Sequence, residues 1–158
     1  MGMRFVFAAV AAALVAAGVV LANRGGPAAP GVSAQAAVVH LSPTCGCCKG
    51  WAEHMEAGGF TLERDETVDM PAVKARLGVP NAVYSCHTAE IGGYVVEGHV
   101  PADIVQRLLR EKPDGVVGIG VAGMPSGSPG MEVPGQPAQP YQVLAWDETG
   151  RTWVYDRR

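Results

Sequence analysis

The chain has 158 residues and a mass of 16.4 kDa, which is enough for one domain with a tail. The formal net charge of −3 and the isoelectric point near 5.8 argue against a strongly basic nucleic-acid-binding protein. Hydrophobic residues make up 48% and charged residues 17%, so composition does not predict disorder over most of the chain. The 21 glycines and 12 prolines predict long irregular stretches, and four cysteines are too few for a disulfide-dense mini-protein.

The N-terminus has the pattern of a targeting signal. A short positive region ends at Arg4, and Phe5–Leu21 is an apolar run of 17 residues. This pattern predicts a signal peptide over residues 1–22, followed by a flexible linker over 23–37. The alternative is an uncleaved membrane anchor, because 17 residues is the low edge of a membrane span. Both interpretations predict a periplasmic or otherwise exported protein. Contact with the membrane is expected only through the N-terminal segment, if that segment is uncleaved.

The body of the chain alternates predicted strands and helices. In chain order the predicted elements are a strand at Ala36–Leu41, a helix at Lys49–Ala57, a strand at Phe60–Arg64, a helix at Asp69–Gly78, strands at Ala82–Cys86 and Gly92–Glu97, and a helix at Pro101–Arg110. The order βαβαββα predicts parallel pairing through helical crossovers, then an antiparallel hairpin and a covering helix. The fold class is therefore α/β.

The C-terminal part has a different composition. Between Pro113 and Pro140, 13 of 28 residues are glycine or proline, which predicts a long loop without regular structure. The segments Tyr141–Trp146 and Thr152–Tyr155 flank a turn and predict a terminal β-hairpin. We therefore expect an α/β domain over 38–112 and a C-terminal extension over 113–158.

Three cysteines lie together between a predicted strand and a predicted helix. A helix N-terminus offers free N–H groups and a partial positive charge, and both stabilise a thiolate. Cys45 and Cys48 have C-x-x-C spacing and can close a disulfide, whereas the adjacent pair Cys47–Cys48 can do so only with strain. At least one reactive thiol is expected, with Cys45 the more exposed of the spaced pair.

The cysteine spacing leaves three interpretations open. Structural disulfides are disfavoured because a loop this short constrains little chain entropy. A redox C-x-x-C explains Cys45 and Cys48 and leaves Cys47 unexplained. Three thiolates joined by a fourth from Cys86 describe a soft-metal site, which favours Cu(I). Zinc is the competing metal, but its structural sites usually pair two separated C-x-x-C knuckles, and this sequence has no such pair.

Other side chains are candidate ligands. His87 has a pKa range suited to neutral imidazole ligation. Met124 and Met131 lie in the Gly/Pro-rich loop, where a thioether can serve as a Cu(I) ligand. His40 and His99 are expected to be structural, and His54 is expected to face solvent.

Two resemblances extend this interpretation. Val79–Tyr84 followed by Ile91–Gly93 resembles the second half of a glutaredoxin or thioredoxin. That resemblance implies a thioredoxin-like fold with a cis Val79–Pro80 bond facing Cys45 and Cys48.

The sequence also resembles the CopG-like family of periplasmic copper-resistance proteins, which has a C-x-C-C motif. The matching stretches are Thr44–Trp51, Ser85–Tyr94, Val96–Ala102 and Gly123–Glu132. The resemblance implies a thioredoxin-like domain whose C-terminal extension helps bind copper, with a role in copper resistance and redox interconversion. Cys45, Cys47 and Cys48 match the motif thiols, and Cys86–His87 matches the family's Cys-His pair.

The resulting hypothesis is an exported protein that binds Cu(I), including as a thiolate-bridged cluster, and handles Cu(I)/Cu(II) redox chemistry. Its predicted metal ligands are Cys45, Cys47, Cys48, Cys86, His87, Met124 and Met131. One alternative is a thiol-disulfide oxidoreductase with Cys45 as nucleophile and Cys48 as resolving thiol. The other is a non-redox copper metallochaperone. The expected partners are copper ions and a copper-efflux or redox protein, and a monomer is expected.

Overall fold

The structure is a computed structural model that describes residues 36–67 and 69–158. Its elements are β1 (Ala36–Leu41), α1 (Gly46–Ala57), β2 (Thr61–Glu66), α2 (Met70–Arg76), β3 (Thr88–Ile91), β4 (Tyr94–Glu97), α3 (Ala102–Glu111), β5 (Gly118–Gly120), β6 (Gln142–Trp146) and β7 (Thr152–Arg157). The predicted signal peptide lies outside the described residues, as do residues 23–35 of the predicted linker. Within the described ranges, no helix has the length and apolar character needed to cross a membrane.

The seven strands form one sheet in the order β2-β1-β3-β4-β5-β6-β7. β1 pairs parallel with β2, on the far side of the α1 crossover, and antiparallel with β3. β3 and β4 form an antiparallel hairpin, as the element order predicted, although its first strand is not the predicted segment. The mixed α/β fold and its βαβαββα order are therefore confirmed, as is the terminal hairpin of β6 and β7.

The Gly/Pro-rich segment contains regular structure that its composition did not predict. β5 pairs parallel with β4 and antiparallel with β6, so the segment continues the sheet. A Cβ atom at Gly118 would lie 2.2 Å from the Trp146 ring. Glycine is needed at this strand position because the indole packs directly on the backbone. The prediction of an entirely irregular segment over 113–140 was wrong for this reason.

Two predictions around Pro80 were also wrong. The predicted strand Ala82–Cys86 is instead a 3-10 turn at Asn81–Val83 followed by irregular backbone, and the strand begins at Thr88. Pro80 precedes the turn with extended backbone, and its carbonyl accepts the Val83 N–H. None of the peptide bonds in the described ranges is cis, so the expected cis Val79–Pro80 bond is absent. Val83 is apolar because it is buried in a turn, not because it belongs to a strand.

The main core lies between the helices and the sheet. α1 contributes Trp51 and Met55, and α3 contributes Ile104 and Leu108; all four are fully buried or nearly so. His54 does not simply face solvent, because its Nε2 accepts the Ala102 N–H at the start of α3. The core thereby fixes the N-terminal end of α1, where the cysteines lie.

Candidate metal centre

The cysteine cluster lies at the N-terminal end of α1. The helix begins at Gly46, three residues before the predicted start, so Cys47 and Cys48 belong to its first turn and Cys45 is the N-cap. Backbone N–H groups are unpaired in the first turn of a helix and favour negative charge nearby. Cys48 is fully buried, while Cys45 and Cys47 are partly exposed. The early start of α1 therefore places all three sulfurs in a field that stabilises thiolates.

Four sulfur atoms meet at this point. Cys45 and Cys48 form a disulfide. The Cys47 Sγ lies 3.4 Å from the Cys45 Sγ and 3.8 Å from the Cys86 Sγ. Cys86 reaches the cluster from the irregular segment before β3, and all four Sγ atoms lie within 4.8 Å of one another. The structure thus brings together the four cysteines that the sequence indicated as a group.

Cys86 also belongs to a second group of donors. Its Sγ lies 3.5 Å from the His87 Nδ1 and 3.0 Å from the His99 Nε2. Donor atoms of Cys86, His87 and His99 all lie within 4.8 Å of one another. Cys86 is therefore the one residue common to the sulfur group and the imidazole group.

His99 was expected to be structural, and the strand register explains its place in the site. The β3–β4 register pairs Thr88 with Glu97. Extending that antiparallel register by two residues sets Cys86 opposite His99. The sequence analysis placed the third strand at Ala82–Cys86 and not at Thr88–Ile91, so it did not predict this pairing.

A backbone carbonyl fixes the orientation of the His99 ring. The His99 Nδ1–H donates to the Pro129 carbonyl oxygen at 2.8 Å, which leaves the Nε2 lone pair directed at Cys86. Metal-ligating histidines commonly donate their second ring N–H in this way. His87 is fully buried with its ring 4.4 Å from the Trp51 ring, and no hydrogen-bond partner for its Nε2 is found in the described part of the chain.

Burial sets the protonation states in the site. Burial lowers the pKa of His87 well below its ordinary value, and the nearby charges of His99 and Lys74 lower it further. Burial also lowers the pKa of His99. Burial raises the pKa of the Cys86 thiol to about 12, with a further rise from the Cys47 charge. Both imidazoles are therefore neutral and able to ligate, and a bound cation would displace the Cys86 proton.

These shifts predict that the metal-free protein loses stability in acid. The unfolded chain takes up protons on His87 and His99 near their ordinary pKa of 6.5, whereas the folded chain keeps both neutral at that pH. Stability is therefore present above that pH and falls below it, by about 1.4 kcal/mol per pH unit for each histidine that protonates only on unfolding. Urea unfolding at several pH values between 7 and 5 measures how steeply the free energy of unfolding changes with pH.

The matched control for this prediction is His87→Asn, which removes one of the two histidines. Other titrating groups are common to both proteins, so their contributions cancel in the comparison. We expect the free energy of unfolding to fall less steeply with decreasing pH in the variant, by about 1.4 kcal/mol per pH unit, which corresponds to one proton. Equal slopes for the two proteins would contradict the assigned state of His87.

Two turns of the C-terminal extension reach the site. Ser128–Met131 packs on α1, since a Cβ atom at Gly130 would lie 2.5 Å from the Cys47 carbonyl oxygen. Met131 lies partly buried in this turn. Met124 is 53% exposed and follows Gly123, whose carbonyl accepts the Ser85 hydroxyl. Both methionines are thus carried by segments that contact the site, and their ligation stays a prediction.

The remaining histidine near the sheet has a structural environment. His40 is buried in β1, with Nδ1 2.7 Å from an Asp65 oxygen and Nε2 3.0 Å from a Glu90 oxygen. Both ring nitrogens therefore have carboxylate partners, which agrees with the expected structural role.

Comparison with known proteins identifies the family. A solved structure titled "Copper resistance protein copG- Form 2" is 45% identical, with 78% of this chain and 98% of that chain covered and a TM-score of 0.73. The chain belongs to the CopG family. A second CopG structure, titled Form 1, is 46% identical over 78% of this chain and 96% of its own length, with a TM-score of 0.72. The fold described above is thus similar to that of the CopG structures.

A family model described as "Protein of unknown function, DUF411" matches residues 83–131. In this CopG-family chain, the matched range contains Cys86, His87 and His99 together with both loop methionines, and it begins after the C-x-C-C motif. A search of curated proteins found no match.

Proposed function

We propose that this chain binds Cu(I) through the thiolates of Cys45, Cys47, Cys48 and Cys86 and serves copper resistance. The observation that carries the proposal is the position of Cys86, whose sulfur is shared by a group of four sulfurs and a group with two neutral imidazoles. Thiolate sulfur selects Cu(I) over hard cations, and imidazole nitrogen suits copper as well. The solved relatives are named copper resistance proteins, which supports copper as the metal.

The arrangement of the sulfurs favours more than one copper ion. Adjacent sulfurs lie 3.4 and 3.8 Å apart around Cys47, so one thiolate can bridge two metal ions. His87 and His99 add nitrogen donors close to the Cys86 sulfur. These donors would hold a thiolate-bridged Cu(I) cluster, and Met124 and Met131 would add further ligands from the extension.

Disulfide formation couples this site to redox chemistry. Closing the Cys45–Cys48 disulfide converts two thiolates into poor ligands and releases two electrons, so copper affinity depends on thiol oxidation. The two electrons match the reduction of two Cu(II) to two Cu(I). The balanced reaction joins one dithiol and two Cu(II) to give one disulfide, two Cu(I) and two protons. An exported protein, as the N-terminal sequence predicts, would meet copper in both oxidation states.

Anaerobic Cu(I) titration of the full chain tests the proposal. The reduced chain is expected to retain more than one copper per chain against a moderate chelator, with all four thiols protected from alkylation. The chain with the Cys45–Cys48 disulfide is expected to retain fewer. A single copper with no change in thiol state would instead indicate a passive metallochaperone, and no retained copper would contradict the proposal.

A thiol-disulfide oxidoreductase is the second candidate function. It is favoured by the disulfide at the N-terminal end of α1, where Cys45 is partly exposed and Cys48 is buried. That is the arrangement of an attacking thiol and a resolving thiol.

Cys47→Ser separates the two functions. Cys47 lies outside the disulfide, so the variant is expected to exchange disulfides with a peptide substrate at a rate within about twofold of wild type. The number of copper ions bound per chain is expected to fall, because the Cys47 sulfur lies close to both the Cys45 and the Cys86 sulfurs. Thiol exchange and elemental analysis are measured on the same preparation. An unchanged copper count would contradict the cluster, and lost exchange would contradict the Cys45/Cys48 pair.

A further inference from the structure

A buried ion pair lies next to the chain segment that carries Cys86. Lys74 on α2 is 4% exposed, and Glu97 at the end of β4 is fully buried. The Lys74 Nζ lies 2.5 Å from the Glu97 Oε1 and also donates to the Thr88 hydroxyl at 3.0 Å. Neither residue belongs to the donor groups described above.

A buried ion pair such as Lys74–Glu97 is expected to contribute little net stability to the fold. Removing two charges from water costs several kcal/mol per ion, and apolar residues of similar volume often stabilise a protein as well or better.

The Glu97 carboxylate binds the chain on both sides of Cys86 and His87. Its Oε1 accepts the Ser85 backbone N–H at 2.7 Å, and its Oε2 accepts the Thr88 hydroxyl at 2.6 Å. Residues 84–87 have no regular secondary structure. Backbone hydrogen bonds hold the two ends of this segment, since the Tyr84 carbonyl accepts the Gly123 N–H and the His87 carbonyl accepts the Gly98 N–H. The carboxylate adds two side-chain anchors, at Ser85 and at Thr88, to these backbone hydrogen bonds and so helps to hold the Cys86 segment.

We propose that Glu97 is a positioning residue that holds Cys86 in reach of Cys47 and His99, with Lys74 balancing the buried charge. Glu97 would act through the Ser85 N–H and the Thr88 hydroxyl, without contacting the metal. The part of the proposal that concerns copper rests on the function proposed above, while the part that concerns the position of Cys86 does not.

Two double variants of the full chain test the hydrogen bonds separately from the charges. Lys74→Met/Glu97→Gln removes both charges and keeps a side-chain oxygen that can accept the Ser85 N–H. Lys74→Met/Glu97→Leu also removes both charges but leaves the Ser85 N–H and the Thr88 hydroxyl without their acceptor. The two variants both lack the charges and differ in whether residue 97 carries a polar amide. Thermal unfolding is used to check that each variant is folded.

The readout is the binding of phenylarsine oxide to the disulfide form without metal. In that form Cys47 and Cys86 are the two free thiols, 3.8 Å apart at their sulfurs, and the arsenical binds tightly only when it bridges both. Wild type and the Gln variant are expected to bind with affinities within about threefold of each other. The Leu variant is expected to bind at least tenfold more weakly.

Thr88→Val is a milder variant, should the Leu variant fail to fold. It removes one of the two contacts that flank Cys86 and leaves the ion pair in place, and it is expected to weaken arsenical binding at least threefold. Wild-type arsenical affinity in a folded Leu variant or in Thr88→Val would overturn the positioning role.

Cu(I) titration of the same proteins distinguishes the two proposals. If the arsenical affinities differ as expected and the Leu variant also loses copper, both proposals are supported. If the arsenical affinities differ as expected while wild type retains no copper, the function proposed above fails and the positioning role stands.

Discussion

Cys86→Ser is expected to cause the largest loss of copper binding of any single substitution in the site. The Cys86 sulfur lies close to the Cys47 sulfur and to both imidazoles, so its removal takes away the donor that the two groups share. A serine hydroxyl is a harder and weaker ligand for Cu(I) than a thiolate. Copper affinity of the reduced chain is expected to fall by at least about 100-fold, since loss of residues that only support a ligand costs 10–100-fold.

Competition with a Cu(I) chelator measures this loss, and Cys47→Ser is the comparison. Cys47 belongs to the sulfur group alone. Its replacement leaves Cys86 and both imidazoles together, so we expect a smaller loss of affinity than for Cys86→Ser. Equal affinities for Cys86→Ser and wild type would show that Cys86 is not the shared ligand.

Gly130→Ala is expected to destabilise the protein strongly, although Gly130 is not a proposed ligand. Gly130 has a φ of +81°. A Cβ atom there would lie 2.5 Å from the Cys47 carbonyl oxygen and 2.6 Å from the Trp51 backbone nitrogen. The left-handed backbone costs an alanine about 1–2 kcal/mol, and the overlap adds about 1–3 kcal/mol. The free energy of unfolding is therefore expected to fall by roughly 2–5 kcal/mol. Copper affinity is expected to fall too, because the adjacent Pro129 carbonyl orients His99.

Gly135→Ala is the matched control for this substitution. Gly135 has a φ of +80°, and nothing lies within 4 Å of a Cβ atom built there. It shares the backbone strain of Gly130 without the overlap, so we expect a loss of about 1–2 kcal/mol and unchanged copper affinity. Urea unfolding and chelator competition test both variants. Equal losses for the two would contradict close packing of the extension on α1.

The register of one hairpin explains most of what the sequence analysis missed. Ala82–Cys86 has the apolar content of a strand, yet Val83 is buried in a 3-10 turn and the strand starts at Thr88. Local propensity does not distinguish these cases, because a buried turn and a buried strand both require apolar side chains. The misplaced strand hid the pairing of Cys86 with His99 and the role of Glu97 beneath them.

Contacts distant in sequence account for the remaining differences. β5 is rich in glycine, which ordinarily disfavours a strand, but Trp146 packs on Gly118 and makes glycine necessary. Lys74 and Glu97 are typical surface residues by type, and only the packing of α2 on the sheet buries them together.

The sequence by itself determined the order of strands and helices, the terminal hairpin and the cluster of three cysteines at a helix N-terminus. These features are local, since hydrophobic period, turn residues and cysteine spacing are set within a few residues. Only the tertiary structure decided which distant groups complete the site. The sequence had already indicated Cys86, but His99 reaches it through the strand register, and the Pro129 carbonyl reaches His99 through the packing of the extension. Neither the register nor this packing is determined by local propensity.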